Sequence, residues 1–465
     1  MVGGVIGTAG YANERDAARG GYACAGMSTR GRPARIVIIG GGYAGAYCAQ
    51  ELERRLGRAA AEIELIDRQN YFVIYPLLVE AGTGSVEPRH AVVSIRSFLK
   101  RSRFRMAEVV GLDRAASQVI CRDPDSGAET RVAYDHVVIA LGSITMLPPV
   151  PGLKEHGLQM KSPGDAVWLR DRAIRMLELA DASGDVERRR GLLGFVVVGA
   201  NFTGAEVAGE LEAFLRAAVK QYPHLTRGDI RVTLIDRGDR ILPALDPSLS
   251  DYAKVNLERR GIRVLLHETV TRIDERSATL ASGEVVPSLT VLWAAGIAPP
   301  PVLGVLGLPV DQRGYLVCER DLRIKGESNI WGIGDCAVNE DADGKAYPAT
   351  AQHAIREGVW AARNIARVLR DEPTAPCNIK SQGSLAALGC RTGVATIFGV
   401  KFSGFWAWWM WRTVYLLKMP GLGRKLRIAL DWTLELFFKR DYVQLGVHRP
   451  PGRAAADSFE LTTKP

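Results

Sequence analysis

The stretch Arg35-Ile-Val-Ile-Ile-Gly-Gly-Gly-Tyr-Ala-Gly45 decides the fold. Its β-branched run reads as a buried parallel strand. The glycines after it read as a tight turn opening a helix, here Ala44 to Leu56. A second strand, Glu62 to Ile66, ends at Asp67, 22 residues beyond Gly45. Strand, glycine turn, helix, strand and acid together form the β-α-β dinucleotide-binding fingerprint. Each part follows from chemistry. Gly40 permits the turn, Gly42 lets backbone approach a pyrophosphate, and Gly45 lets the helix sit on the strand. The helix N-terminus offers unpaired N–H groups to phosphates. The Asp67 carboxylate can accept hydrogen bonds from a ribose diol.

The pattern recurs. Phe195 to Val198 leads into Gly199-Ala-Asn201-Phe-Thr-Gly204, a helix from about Ala205 to Ala217, and a strand Arg231 to Ile235 ending at Asp236. Asn201 replaces the middle glycine and is expected to carry its side chain toward the phosphate. The acid comes 32 residues after Gly204, so the stretch around Gln221 to His224 reads as an insertion. Two further strand-and-small-residue turns, Asp135 to Gly142 and Leu289 to Gly296, match one another. The offsets Gly40 to Gly199 and Gly142 to Gly296 are 159 and 154 positions, which indicates a duplicated unit. Two dinucleotide sites in one protein most simply pass a hydride between them. Asn329 to Asp335 is a later strand ending in a Gly-Asp turn. It completes the first unit after the second has been inserted.

Composition sets the outer bounds. The 465 residues require two or three domains. An apolar fraction of 47% and a charged fraction of 24% exclude wholesale disorder. No apolar run is long enough for an ordinary membrane span. Net charge is +9 with a pI near 9.2, which suits an anionic partner. Seven scattered cysteines without a Cys-x-x-Cys argue for a reducing compartment, against a redox dithiol and against zinc. No metal is expected. Residues 1–33 read as a disordered leader, with Met27 as an alternative start, and 448–465 as a disordered tail.

These residues resemble the two-dinucleotide flavoproteins, and within them the type II, non-proton-pumping NADH:quinone dehydrogenases. The resemblance runs from about Arg35 to Val447. Its closer features are Asn70-Tyr-Phe-Val-Ile-Tyr-Pro-Leu-Leu78, the Pro348 to Gly358 stretch with Ala351-Gln352, and Gly383 to Gly389. The implied fold is α/β. An FAD domain (34–147 and 310–398) is interrupted by an NAD(P)H domain (148–309), and 399–447 form membrane-association helices. The resemblance implies that FAD is held by Gly40, Gly42, Tyr43, Ala44, Gly45, Asp67, Arg68, Pro76, Leu77, Ala140, Gly142, Gly334, Asp335, Ala351 and Gln352. It implies that the nicotinamide cofactor is held by Gly199, Asn201, Gly204, Glu206, Asp236, Ala295 and Gly296. Glu206 and Gln352 are then the catalytic candidates, close to flavin and quinone. Glu206 has a second reading, a first-turn carboxylate that complements the helix dipole. Asp236 favours NADH, while Arg237 and Arg240 leave NADPH as the alternative. Arg356 and Gln382 stand where many relatives carry Gln and Lys.

The last segment is unusual. Five of nine tryptophans lie between residues 406 and 432, and Lys401 to Arg440 carries a net +6. Pro420-Gly421 divides it into two helices, about Gly404 to Met419 and Gly423 to Phe438. Ala429, Trp432, Thr433 and Leu436 are expected to share one face of the second, with Arg424, Lys425 and Arg427 near its start. Aromatics and cations together fit an in-plane anchor on an anionic membrane. Single-stranded nucleic acid is the rival, set aside because apolar residues cluster here. A core hairpin or homodimer contact is the plain alternative. Together with this anchor, the resemblance implies a peripheral enzyme on the cytoplasmic side of the cell membrane, passing electrons from NADH through FAD to a membrane quinone. Its rivals are a sulfide:quinone or disulfide reductase, which needs a cysteine pair, and a flavin-bound sensor without turnover.

Overall fold

The computed structural model describes residues 32–438 and 440–446, and the strand Ser458–Glu460. Most of the expected leader and tail, and Met27, lie outside these. Ser458–Glu460 falls within the expected tail, yet it pairs parallel with Ile144–Leu147.

Two five-stranded parallel sheets carry the two units. The first runs Ile330–Gly332, His136–Ile139, Ala34–Ile39, Ala61–Asp67, Arg103–Met106. The second runs Gly157–Leu158, Thr290–Trp293, Gly194–Val198, Arg231–Ile235, Arg263–Leu265. The order is the same twice. The glycine-turn strand is central, with the acid-ended strand on one side and the strand leading to a small-residue turn on the other. As the sequence predicts, Ile330–Gly332 joins the first sheet from beyond the second unit. Both central strands are almost wholly buried, which is why they read as unbroken β-branched runs. A buried Val or Ile contributes roughly 1.5–3 kcal/mol.

The two glycine turns open helices Tyr43–Arg55 and Phe202–Ala218. The first packs on helix Ala351–Val368 at close range, because a Cβ on Gly358 would collide with the Ala44 carbonyl. The expected insertion after the second helix forms short 3-10 turns at Val219–Gln221 and Arg227–Asp229.

An antiparallel sheet of Gly383–Ala387, Gly393–Ile397 and Val400–Ser403 leads into a helical hairpin, Gly404–Lys418 and Leu422–Phe437. Among the described residues no helix is long and apolar enough to cross a membrane. The second hairpin helix is turned differently from expectation. Ile428 and Trp432 are buried, while Leu422, Leu426, Leu430, Leu434 and Phe437 are exposed. Thr433 and Leu436, expected to line a face with Trp432, lie outside. Both helix faces are apolar, so sequence spacing did not show which of them meets the protein.

Candidate active site

In the first unit Gly40 has φ +105°, and a Cβ there would collide with the Ala140 carbonyl. Gly45 could not carry a side chain against the Gly40 carbonyl. Around Gly42 there is open space, so the turn leaves a cradle at the helix start. Asp67 is spoken for within the protein: its Oδ2 accepts from Gly41 N–H at 2.6 Å and its Oδ1 from Gln69 N–H at 2.7 Å. Burial pushes this carboxyl up, and the two N–H donors and Arg68 oppose the shift. Tyr43 packs on Phe72, and Leu77 is buried two residues past Tyr75, with Pro76 between them. Gly142 sits at φ +65° beside open space.

The Gly334-Asp335 turn closes over this unit. Its Gly334 N–H donates to Glu357 Oε2 at 2.6 Å, and Asn339 donates to the same oxygen at 2.8 Å. Nothing in the sequence singles out Glu357. It anchors the turn from behind, and burial raises its carboxyl to about 7. Asp335 faces Ser143, whose hydroxyl donates to Oδ2 at 3.3 Å.

The second unit differs at its turn. Asn201 does not reach toward a phosphate. Its Oδ1 accepts from Gly204 N–H at 3.1 Å and its Nδ2 donates to the Ala294 carbonyl at 2.8 Å. As an N-cap it satisfies one of the helix's unpaired donors, which is the commonest use of Asn at that position. Gly199 repeats the geometry of Gly40, with Ala295 backbone packed against it, and Gly296 has φ +86°. Asp236 accepts from Ala200 N–H at 2.5 Å and Gly238 N–H at 2.7 Å, as Asp67 does in its own unit.

Glu206 lies past the first turn of its helix, which starts at Phe202 and holds no acid in that turn. It is buried and accepts from Ala387 N–H at 3.0 Å. Burial raises its carboxyl to about 8, with Glu210 and Glu80 adding to the shift. Beyond the first turn the helix dipole's effect has largely faded, so the dipole reading has little support from its position. The Trp411 indole favours the charged form, but its N–H meets no acceptor at hydrogen-bond geometry among the described residues. Gln352 starts helix Ala351–Val368. Its Nε2 donates to Gly383 O at 3.2 Å and Ser381 Oγ at 3.3 Å, and its Oε1 accepts from Gln382 N–H and Arg356. The strand Gly383–Ala387 is therefore gripped at one end by Gln352 and at the other by Glu206. At about 3.3 Å per residue the two grips lie roughly 13 Å apart.

Sequence reading missed the polar layer beneath the hairpin. Trp432 Nε1 donates to Glu80 Oε2 at 2.7 Å. Arg412 pairs with Glu435 at 2.8 Å and Glu80 at 3.5 Å, and its guanidinium lies 4.3 and 4.9 Å from the Trp408 and Trp432 rings. Arg440 pairs with Glu435 and, at 3.8 Å, with Glu210. Burial lifts Glu80 to about 7, whereas the two arginines hold Glu435 down against burial. In sequence such carboxylates look like solvated surface.

Among the described residues the cysteines are free thiols, and the two nearest the Gly-Asp turn are not poised as thiolates. Cys318 forms a hydrogen bond to Gly332 O, and burial pushes it well up; burial raises Cys336 to about 12. Neither supplies thiolate at neutral pH. Among the described residues no three His, Cys, Asp or Glu side chains gather as metal ligands.

Residues 34–358 match the pyridine nucleotide-disulphide oxidoreductase family and 381–441 match the NDH2 C-terminal domain. Demethylphylloquinone reductase NdbB of Synechocystis is 35% identical over 412 residues, covering 87% of this chain and 96% of that protein. Type II NADH:quinone oxidoreductase Ndh of Mycobacterium tuberculosis is 30% identical, covering 87% and 89%. The chain belongs to the pyridine nucleotide-disulphide oxidoreductase family, in its type II NADH:quinone oxidoreductase branch. The structure of NDH2 from Plasmodium falciparum in complex with NADH superposes with a TM-score of 0.82 over 89% of this chain and all of that one, at 20% identity. The fold is shared throughout. Members of this branch are enzymes that work with flavin.

Proposed function

We propose that this protein oxidises NADH and reduces a membrane quinone through bound FAD, without pumping protons. One observation carries the reading: Glu206 of the second unit and Gln352 of the first hold the two ends of one strand, directly under the hairpin. The donor's unit, the flavin's unit and the lipid-facing element meet there.

The first turn fits FAD. The open space at Gly42 admits a pyrophosphate, and Asp335 and Ser143 present polar atoms beyond it. On this reading 34–147 and 310–398 hold FAD and 148–309 hold NADH. Bound flavin supplies a two-electron carrier between a hydride donor and a quinone. The chain supplies position and proton chemistry. Gln352 orients an amide toward the seam. Burial raises the Glu206 carboxyl to about 8, which suits it to hold a proton beside Tyr415 and Trp411. Reduction of a quinone to a quinol takes two electrons and two protons, and NADH delivers only one proton with its electron pair. A second has to come from solvent, and Glu206 is placed to hold it. Asp236 favours NADH over NADPH, since a 2′-phosphate would meet its carboxylate.

The exposed leucines and flanking arginines of the hairpin support attachment to an anionic bilayer in plane, on the cytoplasmic side where NADH is available. The purified protein should be yellow and bleach with NADH. A short-chain quinone should restore the colour, and NADPH should serve poorly. Bleaching without reoxidation would favour a sensor and reject the reading.

A further inference from the structure

Lys161 has no part in the fingerprints, yet it occupies a telling place. Its ammonium points at the Ser143 hydroxyl and carbonyl at the long distances of 3.4 and 3.5 Å. It also lies 5.3 Å from the Tyr75 ring centroid. Through Ser143 it faces the Asp335 carboxyl. The neighbouring chain is fixed. Lys161 N–H donates to Asp165 Oδ2, and Ser162 and Asp165 form a capping box at the start of helix Pro163–Asp181. The half-buried ammonium thus stands on a rigid stem, with its protein contacts at Ser143 and the Tyr75 ring.

The order of groups along the cleft indicates what should cover it. The acid-ended strand takes the adenosine ribose and the helix start takes the pyrophosphate. Gly334 packs against Ala44 at that helix start, so Asp335 comes next. Ser143 and Tyr75 follow, then Lys161, and three residues before it the strand Gly157–Leu158 already belongs to the second sheet. Lys161 thus stands on the hydride-donor side, away from the phosphate cradle.

We propose that Lys161 is a positioning residue for the flavin ring, its ammonium lying against the ring and favouring the anionic reduced form over the neutral oxidised one. This rests on the FAD reading above. Burial lowers the lysine's proton affinity, and the opposite charge of Asp335 works against that loss. Negative charge arriving on the ring is attracted by the ammonium, whereas the neutral ring is not.

The test uses purified holoenzyme and spectroelectrochemical titration, with flavin content measured alongside. Lys161→Met and Lys161→Gln should keep their flavin and lower its two-electron midpoint potential. A tenfold change in relative retention of the two redox forms corresponds to about 30 mV. Lys161→Arg should restore most of the shift. Full flavin content with an unchanged potential in both neutral variants would overturn the proposal. So would loss of flavin from both, since that marks a phosphate contact or a structural role. A colourless wild-type protein that takes up no added flavin would instead sink the FAD reading itself.

Discussion

Replacing Glu206 with Gln should make the protein more stable at neutral and alkaline pH. Glutamine keeps the acceptor for Ala387 N–H and removes the ionisable group. In the unfolded chain the carboxyl titrates near 4.5, and in the folded protein at about 8. The folded state therefore binds the proton more tightly. The stability associated with Glu206 is full below pH 4.5 and is lost progressively as pH rises toward 8. Each pH unit in that window costs about 1.4 kcal/mol. From pH 5 to 8 the wild type should lose roughly 4 kcal/mol relative to Glu206→Gln. Glu80 and Glu210 are present in both proteins, so the difference between the two curves reports Glu206 together with its coupling to them. Urea unfolding followed by tryptophan fluorescence at pH 5, 6, 7 and 8 measures it. Parallel pH profiles would refute the reasoning, because they would mean that the carboxyl is solvated or ion-paired. The same variant should also lose quinone reduction while its flavin is still bleached by NADH.

Three other perturbations follow from the packing. Arg412→Met removes the cation between Trp408 and Trp432 and leaves Glu80 and Glu435 without it; about 3–5 kcal/mol should be lost and the hairpin should become protease-sensitive, read by limited proteolysis. Gly358→Ala drives a methyl into the Ala44 carbonyl, so thermal stability should fall by about 1–3 kcal/mol and flavin should wash out on gel filtration. Changing Leu422, Leu426, Leu430 and Leu434 together to Ser should abolish sedimentation with anionic vesicles while lowering the unfolding free energy by no more than about 0.5 kcal/mol per position, as expected for exposed helical sites.

What the sequence showed and what it hid divide along physical lines. The glycine turns were legible because steric demand is local: Gly40 and Gly45 are required by contacts only a few residues away or across one strand. The duplicated order was legible because parallel strands buried on both faces must read as apolar runs. Asn201 misled because its residue type shows the presence of polar atoms but not where they turn, and here the helix end and the Ala294 carbonyl take both. The hairpin misled because its second helix is apolar on both faces. Glu80, Glu210 and Lys161 were invisible because a charged residue in a string of letters looks solvated until distant elements close over it.

The ionic layer under the hairpin bears on any attempt to obtain a freely dissolved version. Truncation before Gly404 would strip Glu80 and Glu210 of the arginines and indole that face them, and expose the floor on which Trp408 and Trp411 rest. The segment is half roof and half keel, and only the keel can be dispensed with. Detergent-free handling is better sought by repainting the outward leucines with polar residues than by shortening the chain.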